Sequence, residues 1–137
     1  MKLFIASHSQ DAAKALGDAL VALGHEVKAR WITSDTKFTH GLASYSDEEK
    51  VRLALMDEED VRAAADGLVL IAEPDGRYVP GGKHVETGMA LALGRPVYVI
   101  GHRENLFHWH PLVRVFASGD AFISWLASES REDVPGD

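Results

Sequence analysis

Cysteine is absent from the 137 residues, which excludes disulfides, zinc–thiolate sites and iron–sulfur clusters. Basic charge is scarce as well: 14 Lys and Arg stand against 21 Asp and Glu, a formal net charge of −7. Binding to a nucleic-acid polymer rests on neutralising phosphates and is not expected, whereas a small anionic ligand needs only one local basic pocket. Long apolar runs are missing too. The opening MKLFIASHSQ has a short one and no signal-peptide core, and nothing approaches membrane-spanning length, so the expectation is a cytoplasmic protein with no membrane partner. No repeat or linker divides the chain. Residues 1–128 read as one domain, and the polar, acidic tail 129–137 predicts disorder.

What is present alternates strand with helix. Residues 3–6 form a short apolar run that ends at Ser7-His8-Ser9, a loop and helix cap. Apolar residues at helical spacing follow from Asp11 to Leu23 until Gly24 stops them. Residues 26–32 (EVKARWI) alternate as a strand does, and residues 33–46 read as a long loop. Ser46 and Glu49 form a capping box for a helix to about Ala65. The continuous apolar runs GLVLIA (67–72) and VYVI (97–100) suit central parallel strands buried on both faces, with a helix between them that Gly94 and Pro96 end. Residues 113–116 supply a fifth strand, and a last helix is expected near residues 120–127. The pattern predicts a doubly wound, five-stranded parallel sheet of order 2-1-3-4-5 in a three-layer α/β/α fold, with its site at the carboxyl ends of the strands.

GGKHVETGMALALGRP, residues 81–96, falls on that edge. Gly81 and Gly82 let backbone approach a ligand closely, the following helix offers free N–H groups, and Lys83 and His84 add donors. Glu86 is then open to two readings. It is an ordinary early-helix acid suited to the dipole, or a carboxylate that the dipole keeps ionised as a nucleophile, as in retaining glycoside chemistry.

Residues 81–101 resemble the signature of the nucleoside 2-deoxyribosyltransferase-like superfamily, which includes 2′-deoxynucleoside 5′-monophosphate N-glycosidases. Its Glu-x-Gly-x-Ala-x-x-x-Gly-(Lys/Arg)-Pro pattern falls on Glu86, Gly88, Ala90, Gly94, Arg95 and Pro96. The first-strand loop ASHS, GHEVKARW, ADGLVLIAE and ENLFHWHP agree with it, so that the likeness covers most of residues 1–126. The resemblance implies a flavodoxin-like fold, a homodimer or larger homo-oligomer, no cofactor, and cleavage of the N-glycosidic bond of nucleosides or their 5′-monophosphates. Glu86 carries over as the nucleophile that attacks the anomeric carbon, before transfer to another base or hydrolysis. An Asp on the helix before the third strand lies near the leaving base in such proteins. Met56-Asp57-Glu58-Glu59-Asp60 offers Asp57 and Asp60 without separating them, and four acids in a row also suit a solvated face.

Substrate-binding candidates are Ser7, His8, Trp31, Gly81, Gly82, Lys83 and His84. Trp31 is as well placed to stack on a base as to cap the core. Lys83 reads as a 5′-phosphate contact or as a solvated lysine. Two positions depart from the family pattern: Phe4 stands where many members have a Tyr holding the nucleophile, and Pro80 where transferases have an acid. These departures support a rival reading, a nucleotide-binding or sensor module without turnover. A receiver-type signalling domain is disfavoured by Ser7-His8-Ser9 after the first strand and Glu73 after the third.

Other signals are set aside. His84-Val85-Glu86 has the H-x-E form of zinc deaminases, whose P-C-x-x-C partner needs cysteine. His108-Trp109-His110 points to no third metal ligand. GGKH lacks the P-loop spacing, and no G-x-G-x-x-G follows the first strand.

Overall fold

The computed structural model describes residues 1–33, 44–75 and 81–132. Pro80, most of the expected 33–46 loop and the last five tail residues lie outside them. A five-stranded parallel sheet has the order β2-β1-β3-β4-β5, formed by β1 (Lys2–Ala6), β2 (Glu26–Val27), β3 (Gly67–Ile71), β4 (Val97–Ile100) and β5 (Val113–Phe116). Among the described residues four α-helices accompany it: α1 (Gln10–Ala22), α2 (Asp47–Ala63), α3 (Gly82–Ala92) and α4 (Gly119–Glu132). The sheet is the flavodoxin-like one expected from the alternation. Among the described residues no helix is long and apolar enough to cross a membrane.

Each helix starts and stops for a local reason. Ser9 caps α1 by accepting the Ala12 N–H at 3.1 Å, and the Ser46–Glu49 capping box opens α2. Small residues on α1, Ala13 and Gly17, bring it close to the sheet, and Ile5 of β1 faces Gly17. Neighbours along a strand point to opposite faces, so Phe4 and Ala6 face the other layer. Helices α2 and α3 pack together on one side and α1 and α4 on the other. Gly67, at φ 137°, begins β3 where a Cβ would stand 2.6 Å from the Pro96 carbonyl oxygen, a close approach that only glycine allows.

Two expectations are corrected. The second strand stops at Val27, and Arg30–Thr33 forms a 3₁₀ turn instead of continuing to Ile32. A strand would send Trp31 and Ile32 to opposite faces, yet both are buried. Side-chain bonds replace the ladder: Gln10 Nε2 donates to the Trp31 and Ile32 carbonyls at 3.0 and 3.1 Å. At the other end, α4 runs through Glu132, so residues 129–132 are helical rather than disordered. ASESRE contains no helix breaker, and the first proline beyond it is Pro135.

Candidate functional site

The carboxyl edge of the sheet gathers the β1–α1 loop, the start of α3 and the exits of β3 and β4. Ser7 is half-buried and accepts the Ser9 N–H at 3.1 Å, while His8, Gly81 and Gly82 are exposed. The first α3 amide to bond backward is that of His84, to the Gly81 carbonyl at 3.0 Å. Among the described residues the amides of Gly82 and Lys83 precede the intrahelical ladder.

Glu86 lies beyond that mouth, the fifth residue of α3. The dipole acts within the first turn, so the expectation that it keeps Glu86 ionised is overturned by position. Burial, with the Asp57 charge adding to it, pushes the Glu86 carboxyl from 4.5 up to about 8. Asp57 responds in kind: burial first, then the Asp60 charge, raise it from 3.8 to about 6, against an opposing pull from Arg30. Asp57 Oδ1 is buried with no hydrogen-bond partner. Two carboxyls in one poorly hydrated space titrate as a pair, and this pair holds one proton near neutrality.

The surroundings explain why these two meet. Met89 and Leu93, on the same stripe of α3 as Glu86, line a cavity with Glu58, Val61 and Arg62 of α2. Gly94, at φ 73°, ends α3, and Arg95 turns its guanidinium onto the last carbonyls of α2, those of Val61 and Ala64. Ala90 is buried in the core. Of the motif residues after Glu86, Arg95 thus ties the end of α3 to α2.

Asp57 and Asp60, inseparable in the sequence, part company here. Asp60 is buried and accepts the Arg30 backbone N–H at 2.8 Å and its Nε–H at 3.0 Å. Its carboxylate is engaged by Arg30 and fixes the Trp31 turn. Trp31 is buried, and its indole N–H donates to the Ile5 carbonyl at 2.9 Å, which gives it the core position and takes it from base stacking. Phe4, fully buried on the face toward α2 and α3, brings no hydroxyl there.

The solvated reading of Lys83 is corrected: its side chain is only 2% exposed. The ammonium donates to Glu104 Oε1 at 2.7 Å and to the Ile71 carbonyl at 3.4 Å, with Glu73 Oε1 at 3.9 Å. Helical geometry puts His84 about 200° around α3 from Glu86. There its Nδ1 accepts from Asn105 Nδ2 at 3.1 Å, and it lines a separate cavity of about 420 Å³ with Val85, Thr87, Gly88, Phe107 and His108. Burial and the Lys83 charge lower its pKa, against a smaller contrary effect of Glu104. The structure thus brings Asp57 and Glu86 together with Asp60 within electrostatic reach of Asp57, leaves Ser7, His8, Gly81 and Gly82 at the carboxyl edge, ties Trp31 and Lys83 to other partners, and turns His84 to another side of α3.

Glu73, Glu104 and Arg30 were missed as partners. One signal existed for the first two: a lysine in a first helical turn opposes the dipole and needs an acid to hold it.

No family model and no curated protein matches the sequence. Several solved structures share the fold, two of them over nearly the whole chain. One is the CMP N-glycosidase BcmB of Clostridium botulinum, 13% identical, with a TM-score of 0.60 over 93% of this chain and 99% of that one. The other is a 2-deoxyribosyltransferase of Bacillus psychrosaccharolyticus, 22% identical, with a TM-score of 0.68 over 90% of each chain.

Proposed function

We propose that the chain is a member of the nucleoside 2-deoxyribosyltransferase-like superfamily that cleaves N-glycosidic bonds of nucleosides or nucleoside 5′-monophosphates in the cytoplasm. The observation that carries this reading is the Asp57–Glu86 pair, in which one carboxyl oxygen is buried without a partner. The motif around Glu86 and the fold shared with two enzymes of this chemistry support it.

In the productive state the shared proton resides on Asp57 and Glu86 is ionised. The Glu86 carboxylate attacks the anomeric carbon, the C–N bond breaks, and its electron pair leaves with the base, which takes the Asp57 proton. The glycosyl ester on Glu86 is then attacked at the same carbon by another base or by water, which restores the carboxylate. Gly81, Gly82, Ser7 and His8 form the rim that receives the sugar, at the N-terminal end of α3.

A homodimer belongs to the proposal. Leu106, Phe107 and Trp109 are 78%, 66% and 65% exposed on one short 3₁₀ helix, an apolar patch suited to a second copy. The rival reading, a nucleotide sensor without turnover, draws on Phe4. The test is release of free base, followed by chromatography, from a panel of ribo- and deoxyribonucleosides and their 5′-monophosphates, with and without an acceptor base. Release that vanishes in Glu86→Ala supports the enzyme, and dependence on acceptor marks transfer. Binding without release in wild type supports the sensor.

A further inference from the structure

Lys83 occupies a costly place. It is a cation in the first turn of a helix, where the dipole disfavours it, and its side chain is only 2% exposed. Buried ion pairs are weak stabilisers, since desolvation consumes most of their attraction. Local conflicts of this kind concentrate where geometry serves function.

The geometry here is a three-way tie. Glu104, on the loop after β4, accepts Lys83 Nζ at 2.7 Å and the Glu73 backbone N–H at 3.3 Å. Its own N–H donates to His108 Nδ1 at 2.8 Å, and His108 is fully buried. Lys83 also reaches the Ile71 carbonyl at the end of β3. The opening turn of α3 is thereby fastened to the exits of β3 and β4, while Arg95 fastens the other end of the helix to α2. Glu86 lies between the two anchors.

We propose that Glu104 is a positioning residue for the chemistry at Glu86: through the buried Lys83 ammonium it sets the start of α3, and so the aim of Glu86 at the sugar. The proposal rests on the N-glycosidic reading above. Displacements of about 1 Å in a reacting group cost about 100-fold in rate, so a loosened first turn lowers kcat while KM is little changed.

The test replaces the pair by apolar residues, Lys83→Met with Glu104→Leu, in a Glu73→Gln background, which removes the charges together and leaves none of the cluster buried alone. Base release and amide hydrogen exchange of residues 82–87 are measured against wild type at matched global stability. Expected are a kcat about 100-fold lower, a KM within about threefold, and exchange about tenfold faster. Wild-type kcat and exchange in the double variant would overturn the proposal and leave the pair a stabilising contact only. If the double variant does not fold, Glu104→Gln takes its place: a lower kcat at constant KM supports the proposal, and a wild-type kcat overturns it. If wild type releases no base, the N-glycosidic reading fails separately. The exchange rates still decide on the tie, and unchanged rates would sink it.

Discussion

Replacing Glu86 by Gln should make the protein more stable relative to wild type as the pH rises. A carboxyl raised from 4.5 to about 8 binds its proton more tightly in the folded than in the unfolded chain. Its contribution is therefore complete below pH 4.5 and drains as pH climbs through about 8, whereas glutamine has nothing to lose. Linkage across pH 5 to 9 puts the full effect at about 4 kcal/mol. Glu86 keeps some contact with solvent, which screens part of the penalty, and about 2 kcal/mol is expected. Urea denaturation of both proteins at the two pH values supplies the double difference, in which every other titrating group common to both largely cancels. A change below about 0.5 kcal/mol, or one of opposite sign, would show that Glu86 is hydrated and ionised and would refute the electrostatic argument.

Three further outcomes are expected. Base release should peak between the apparent pKa values of the pair, about 6 and 8, because a single proton is held there; a flat profile from pH 5 to 9 would contradict this. Asp57→Asn should abolish turnover and keep the fold, whereas Asp60→Asn should lower the melting temperature by about 5 °C through the loosened Arg30 turn, as thermal scans and base-release assays would show. Trp31→Phe should cost about 1 kcal/mol in urea denaturation, for the lost bond to the Ile5 carbonyl, and leave the affinity for bases unchanged in calorimetry.

The sheet was legible because β3 and β4 are uninterrupted apolar runs and because Ser9, Ser46 and Gly94 punctuate the helices in sequence. The β2 boundary was not, since the alternation in EVKARWI hides that Trp31 and Ile32 are both held inward by Gln10, some twenty residues earlier. Asp57 and Asp60 are equivalent until Arg30 claims one of them. Lys83 resembles a phosphate ligand until Glu104 and Glu73 arrive from two other loops. The protonation of Glu86 is a tertiary property as well: it depends on how deeply α2 and α3 bury the pair. Glu86 stands out in the sequence through its motif, whose Arg95 ties α3 to α2 and so leaves a trace there.

The central claim is that Glu86 forms a covalent bond to the sugar. Acid quenching during turnover, then intact-mass measurement and peptide mapping, tests this most directly. A glycosyl adduct is expected on the peptide containing Glu86, present in wild type and absent in Glu86→Gln. Turnover in wild type with no adduct, or undiminished turnover in Glu86→Gln, would contradict it.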